Sequence, residues 1–468
     1  MKLISLSLTL GAILTLTGCS TMAPKYARPD APVSSTWPSE GAYKNEIAKA
    51  DGPLAAAISW NDFFTDDRLK KVIALALENN RDLRVAALNI EKMRAQYQIQ
   101  RADIFPEINV GAGALAQRIP DPKTHAVTTH QYSVGLGFSA YELDLFGRVR
   151  SLKDRALEEF FATGEARRSV QISLIAEVAN SYLVLAADRE RLKISKDTLA
   201  NRQTSYDLVK RRFEAGASSE LDLRQAQTSV DSARVDIARL TSQVAQDENA
   251  LALIVGSQIP AELLPEELSP ITALKEISAG LPSEVLQRRP DIMQAEHMLK
   301  AANANIGAAR AAFFPRIALT TSIGLSSDQL SGLFNTGTRI WSFAPQITMP
   351  IFDTGGTSAG LKVTEVDREI YLARYEKAIQ SAFREVVDTL AQRGTLGDQM
   401  AAQQSLVEAA TISYRLSDVR YKNGIDSYLS VLDSQRSLYS AQQGLIAIRL
   451  SRLTNLVTLY KVLGGGAS

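Results

Sequence analysis

The chain has 468 residues, 45% of them hydrophobic and 22% charged, the balance of a folded protein rather than of a disordered tail. Its formal net charge of +1 falls to zero once Lys2 leaves with the first 18 residues, and no basic stripe interleaved with aromatics is present, so the electrostatic case for nucleic acid is missing. Beyond the N-terminus no apolar run of 18 residues stands out, so no transmembrane helix is expected and any membrane crossing must be built another way.

The chain opens with Met1-Lys2 and an apolar run from Leu3 to Thr17, the pattern of a secretory signal. The ending Leu16-Thr17-Gly18-Cys19 resembles the bacterial lipobox, which implies cleavage before Cys19 and acylation of its sulfur and amine. Several acyl chains on one residue anchor stably, because each buried methylene contributes about 0.8 kcal/mol. Ser20 stands where an inner-membrane retention signal has Asp, so the outer membrane is the expected destination. Cys19 is the single cysteine, so no disulfide forms within one chain and stability must come from packing or assembly.

Proline placement maps the rest. All 16 prolines lie at or before Pro122 or between Pro260 and Pro350, leaving 123–259 and 351–468 free for long helices. An internal repeat appears at an offset of about 208 residues. Arg212-Phe213-Glu214-Ala215-Gly216 matches Arg420-Tyr421-Lys422-Asn423-Gly424, Arg101 to Pro106 matches Arg310 to Pro315, and Asp144/Gly147 matches Asp353/Gly356. The predicted organisation is a signal peptide over 1–18 and a lipid-anchored extended segment over 19–62. A first repeat of helix, two strands and long helical hairpin follows over 63–256, then an equatorial connection over 257–283 that forms a belt, and a second such repeat with a C-terminal tail over 284–468.

Each repeat holds two period-2 segments. In 317–325, Ile317, Leu319, Ile323 and Leu325 alternate with small or polar residues, Thr321 being the exception. In 341–349, Trp341, Phe343, Pro345, Ile347 and Met349 alternate likewise. In 132–140 the apolar set is Val134, Leu136, Phe138 and Ala140, and in the weaker 108–116 it is Ile108, Val110, Ala112 and Ala114. Strands of this length suit a tilted bilayer crossing. A half-buried sheet shows the same alternation, so the pattern alone does not decide. Four strands cannot close a barrel, and open edges in lipid leave backbone groups unsatisfied at several kcal/mol each, so other copies must supply the rest.

Residues 149–213 and 357–421 read as helices, each spanning roughly 100 Å if continuous. Val178, Leu185, Leu192, Leu199, Tyr206 and Phe213 recur every seventh residue, and Val230, Ala233, Ile237, Leu240, Val244, Leu251 and Ile254 follow 3-4 spacing with a break at Asp247. Gly216 and Gly424 mark the hairpin turns, and segments 220–255 and 284–312 read as returning helix.

Two phrases carry a family likeness. Tyr141-Glu142-Leu143-Asp144-Leu145-Phe146-Gly147-Arg148-Val149-Arg150 and Leu281-Pro282-Ser283-Glu284-Val285-Leu286-Gln287-Arg288-Arg289-Pro290-Asp291-Ile292 resemble the outer membrane factor family, in its branch of OprM- and TolC-like lipoproteins. The likeness covers essentially the whole mature chain. It implies a mainly α fold with a β-barrel part: an elongated, internally duplicated α-helical barrel in the periplasm below a trimeric twelve-stranded transmembrane barrel. It further implies a homotrimer in outer-membrane lipid, docked by its helical tip onto a periplasmic adaptor protein and an inner-membrane pump of the resistance-nodulation-division class. The cargo would be drugs, dyes or detergents, with no cofactor, no metal and no chemistry performed by the duct.

Carried over by residue, the likeness puts a channel gate at Leu429, Asp433 and Arg436, just after the tip Gly424. The first repeat has Leu221, Gln225 and Thr228 there, so the charged gate belongs to the second repeat alone. Three Asp433 carboxylates near a threefold axis would repel, and Arg436 can offset this through charge-assisted bonds. Solvated helix charges are the plain alternative. Gly216, Ala217, Ser218, Gly424, Ile425 and Asp426 form the tip loops and are the expected adaptor contacts. His125, His130 and His297 do not assemble a metal site by spacing, and no acid-base pair stands in an apolar setting suited to catalysis. Competing readings are an exit duct for secreted proteins or metal ions, and a coiled-coil scaffold lipoprotein without a pore. An envelope hydrolase has no residues to support it.

Overall fold

The computed structural model describes residues 21–43, 55–120, 126–268, 277, 279 and 288–466. Among these, eight α-helices and four strands follow a pattern written twice. The single turn α1 (Trp60–Phe63), α2 (Asp67–Asn79) and α3 (Arg81–Ala102) lead into β1 (Asn109–Ile119), β2 (Val127–Leu143), the long α4 (Arg148–Glu214) and its return α5 (Glu220–Val255). The second half follows with α6 (Pro290–Ala311), β3 (Arg316–Ser327), β4 (Arg339–Thr348), α7 (Gly356–Lys422) and α8 (Tyr428–Val462). Helices α4 and α7 have 67 residues each and start and stop at matched points of the sequence repeat. Helix α6 opens on Pro290, a residue suited to the first helical position because its missing N–H has no partner there anyway. Residues 281–287, which open the second family phrase, lie outside the described residues.

Contacts divide the chain into two units, each drawing on both repeats. The first comprises Met1–Asp30, Asn89–Gly164 and Gln294–Glu376. Its centre is one antiparallel sheet in the order β1-β2-β3-β4. Leu136 faces both Val110 and Ile323, and Ile323 faces Trp341, so one apolar row crosses all four strands. The alternation expected to end at Ala140 does not. Strand β2 takes a bulge between Phe138 and Tyr141, with Ala140 at φ 54°, and runs on to Leu143. The Ala140 N–H donates to Thr320 Oγ1 at 3.1 Å, and Tyr141 and Leu143 then resume the apolar face. Thr321, the polar exception on that face, donates its hydroxyl to the Ser342 carbonyl at 2.8 Å.

The second unit comprises Ala31–Leu88, Glu165–Met293 and Lys377–Ser468. Its core joins Ile175, Val178, Tyr182 and Leu185 of α4, Leu251 and Val255 of α5, Val386 and Leu390 of α7, and Val457 and Tyr460 of α8. Phe63 of α1 stacks on Tyr460 with centroids 4.0 Å apart, and the Tyr460 hydroxyl donates to the Ile58 carbonyl at 2.6 Å. Each fully buried side chain of this size stabilises the unit by about 2 kcal/mol. Gly256 ends α5 at φ 78°, and a Cβ there would lie 2.5 Å from the Asn79 carbonyl oxygen, so only glycine permits α2 to pass. Helix α4 does contain an 18-residue window of mean hydropathy 1.5, contrary to the expectation of none. That window is 61% buried, which is how a core helix meets a membrane criterion.

The heptad of α4 holds but fades. Val178 and Leu185 are fully buried, Leu192, Leu199 and Tyr206 are half-buried, and Phe213 is exposed. Three residues further on in each heptad, Ser195, Arg202 and Val209 are buried. The seam toward the tip is therefore partly polar. Asp247, read as a break in the α5 spacing, is itself buried on the seam, where Gln243 donates to it at 2.9 Å. The segment that follows α5 is stapled to α4: Arg189 donates to the Pro265 carbonyl at 2.6 Å, and Glu190 accepts from the Leu268 N–H at 3.0 Å.

Candidate duct wall, gate and docking tips

The sheet has two unlike faces. One carries Val110, Ala112, Ala114, Tyr132, Val134, Leu136, Phe138, Ile317, Leu319, Ile323, Leu325, Trp341, Phe343 and Ile347, joined across strands by the register. The other carries Gly111, Gly113, Ser133, Gly135, Gly137, Ala318, Thr320, Ser322, Gly324, Ser342 and Ala344. Side chains at Gly135, Gly137 and Gly324 would strike the neighbouring backbone, with a Cβ at Gly137 only 2.2 Å from the Thr321 carbonyl oxygen. Small residues on one face and bulky ones on the other let a sheet curve with the small face inward. Every residue of β1 and β4, the two outer strands, is exposed. Trp341 is 78% exposed on the apolar face, an arrangement that water penalises and lipid does not.

Asp144 of the first family phrase accepts from the Val149 and Arg150 N–H groups at 3.1 and 2.9 Å, capping the start of α4. Its repeat partner Asp353 accepts from the Thr357 N–H at 2.7 Å at the start of α7. The second phrase places Arg289 in a buried position. Its guanidinium donates to the Val462 carbonyl at 2.8 Å and to Asp291 and Glu385 at 2.7 Å, tying the end of α8 and the start of α6 to the middle of α7.

Cys19 lies outside the described residues, but the strap after it is placed. Residues 22 to 28 run along α6 in the opposite direction. The Met22 carbonyl accepts from Arg310, the Pro24 carbonyl from Asn303, and Arg28 and Tyr26 donate to Glu296. Burial works against ionisation of Glu296, yet Arg28 and Lys300 overcome it and hold its carboxyl below the usual range. Met22 therefore sits at the end of α6 that leads directly into β3.

Leu429, Asp433 and Arg436 fall on one exposed face of α8, as their spacing dictates, opposite buried Tyr428, Val431, Leu432 and Gln435. Asp433 and Arg436 approach to 3.6 Å with side chains 62% and 65% exposed, a weak pair within one chain. Their counterparts Leu221 and Thr228 are also exposed, while Gln225 is half-buried.

Gly216 and Gly424 adopt φ of 74° and 72°. In each turn a 6→1 bond closes the helix end, from the Ala217 N–H to the Arg212 carbonyl at 2.7 Å and from the Ile425 N–H to the Arg420 carbonyl at 2.9 Å. Beyond the turns the hairpins differ. Ser219 and Asp222 form a complete capping box on α5, whereas Ser427 makes no side-chain cap on α8. Just above the tips Val209, Ala226, Tyr421, Tyr428, Val431 and Leu432 form a second buried cluster uniting both hairpins. Burial there pushes the Tyr428 phenol up to about 12. Ser195 and Arg202 of α4 hold Tyr439 of α8, through a 2.8 Å hydroxyl contact and a guanidinium 5.6 Å above its ring. Apolar periodicity could not find this clasp, because its members on α4 are polar. Their regular spacing of three beyond Leu192 and Leu199 is the signal that was available.

The family model described as outer membrane efflux protein matches residues 72–257 and 281–465. The antibiotic efflux pump outer membrane protein ArpC of Pseudomonas putida is 50% identical over 465 residues, covering 98% of this chain and 95% of that one. Outer membrane protein OprJ of Pseudomonas aeruginosa is 43% identical over 457 residues, covering 97% and 94%. Among solved structures, the open state of the Neisseria gonorrhoeae MtrE outer membrane channel matches with a TM-score of 0.87 at 39% identity, over 96% of this chain and 99% of that one. The sheet with one lipid-suited face and the paired long helical hairpins are thus those of TolC-like outer-membrane channels, and the chain belongs to the outer membrane efflux protein family.

Proposed function

We propose that three copies of this chain close their sheets into one twelve-stranded barrel, and that the duct is opened at its helical tips by a periplasmic adaptor joined to an inner-membrane pump of the resistance-nodulation-division class. The chain is an outer-membrane exit duct for efflux, as its family and its matched channels have it. That family is one of channels, and we read the duct as passive. The observation that carries the assembly is the open four-stranded sheet, bare at β1 and β4 and apolar on one face. In hydrocarbon such edges must pair.

Relatives named for antibiotic and toluene efflux support organic, largely apolar solutes as cargo. The shared exposed face of Leu429, Asp433 and Arg436 supports these residues as the gate, and the small, exposed turns at Gly216–Ser218 and Gly424–Asp426 suit close docking of an adaptor. The strap supports acylation of Cys19: Met22 lies near the base of the sheet, three positions after that cysteine, within reach of the inner leaflet. Native mass spectrometry of the detergent-extracted protein should give trimers, and planar bilayers containing it should conduct. A monomer that never conducts, even after gate substitution, overturns this reading.

A further inference from the structure

The strand residues of the small face are almost free of charge. The exceptions are Glu142 near the end of β2 and Arg316 at the start of β3, close to each other at the base of the sheet. Glu142 accepts from Arg148 at 2.8 and 2.7 Å and meets Arg316 Nε at 2.6 Å. One carboxylate thus serves two guanidiniums, and among the direct contacts positive charge is in excess. Arg316 is 58% exposed while Glu142 is 10% exposed, so the excess is presented by Arg316. Asp144 and Asp103 act on Arg148 from farther away, Asp144 while engaged by its own Arg150 at 3.0 Å, and neither touches Arg316.

These groups line a cavity of about 310 Å³, within the range of small-molecule sites. Asp144, held by its own Arg150, and Thr348 also line it, and the remaining walls are apolar: Leu143, Phe146, Phe314, Pro315 and Pro350. Phe146 and Phe314 stack with centroids 4.8 Å apart, forming a firm flat surface beside the guanidiniums. A net positive rim against an aromatic wall matches a solute with an anionic head and an apolar body.

We propose that Arg316, Arg148 and Glu142 with Phe146 and Phe314 form a luminal subsite for amphiphilic organic anions at the base of the barrel. The proposal rests on the closed duct, because closure with the small face inward is what turns this cavity toward the lumen. Its consequence for transport is selectivity: the sheet section of the duct favours anionic solutes through this collar, whatever the gate below it admits.

The probe is cholate, an anionic amphiphile, added to single channels in planar bilayers, with dodecyltrimethylammonium as the cationic control. Cholate should interrupt the current of the wild-type channel more often than the cation does. Arg316→Gln should reduce cholate interruption several-fold and move the reversal potential in a KCl gradient toward potassium. Glu142→Gln should act oppositely on both readouts, which a merely structural role for the cluster cannot reproduce. Conducting variants with unchanged cholate interruption and unchanged reversal potential overturn the subsite. Absence of conductance in every variant, wild type included, counts instead against closure of the duct.

Discussion

Arg420 and Asp426 close the second hairpin turn through two hydrogen bonds of 2.6 and 2.9 Å, where the first hairpin relies on a backbone-directed capping box. The two tips therefore have different sensitivities. A capping box satisfies helix N–H groups directly, whereas an exposed ion pair is weakened by salt and by loss of charge. Arg420 holds the Asp426 carboxyl below the usual range. Its contribution is thus present above the unfolded carboxylate pKa and is lost as pH falls through the lower folded value. Asp426→Asn should speed amide exchange over Ile425–Ser430 while leaving Ala217–Asp222 unchanged, and high salt should produce the same asymmetry in the wild type. Equal exchange at both tips would refute the distinction.

The turn at Gly424 separates backbone strain from partner contact. A Cβ there meets nothing within 4 Å, so no packing is lost on substitution, but φ of 72° costs a non-glycine residue about 1 kcal/mol. Gly424→Ala should carry that strain alone and retain drug resistance in cells. Gly424→Lys adds bulk and charge on the proposed docking surface and should abolish resistance while trimers persist. Normal resistance with Gly424→Lys removes the docking role.

At the gate, the Asp433–Arg436 pair is too exposed within one chain to explain closure. On the proposed gate, closure comes from what three copies bring together, with Arg436 offsetting converging carboxylates. Asp433→Ala should raise single-channel conductance and admit antibiotics from outside. Arg436→Gln leaves the carboxylates opposed and should open the channel further at low salt than at high salt. Conductance unchanged across several voltages in both variants argues that these residues are ordinary surface charges.

What the sequence disclosed follows from how local each signal is. The ends of α4, α5 and α7 were legible to within a residue because proline and glycine act on the backbone where they stand. The bulge at Ala140 was not, since an alanine continues an alternating pattern while its φ of 54° breaks it. Ser195 and Arg202 were missed because a search for apolar repeats discards polar members of the same seam. The Glu142–Arg316 contact joins strands from different repeats, and nothing local announces it. The gate triad came from family likeness, and its exposed common face is what helical spacing alone would give.

Asp247 provides a stability test inside the helical hairpin. Burial, and the carboxyl of Asp188 beside it, raise its pKa above the usual carboxylate value, while Gln243 and Arg191 pull the other way. Asp188 is already engaged by Arg191 at 2.7 Å, which leaves Asp247 the less compensated of the two. Its proton is bound more tightly in the folded chain than in the unfolded one. The resulting stability is fully present below the unfolded value, near 3.9, and is lost as pH rises through the folded value. Asparagine keeps the size and the hydrogen bonding without the charge. Asp247→Asn should therefore melt above the wild type at about pH 8, with the gap closing at about pH 4. A variant that melts below the wild type at the higher pH means that the ionised carboxylate is itself stabilising there, with Arg191 as the cause.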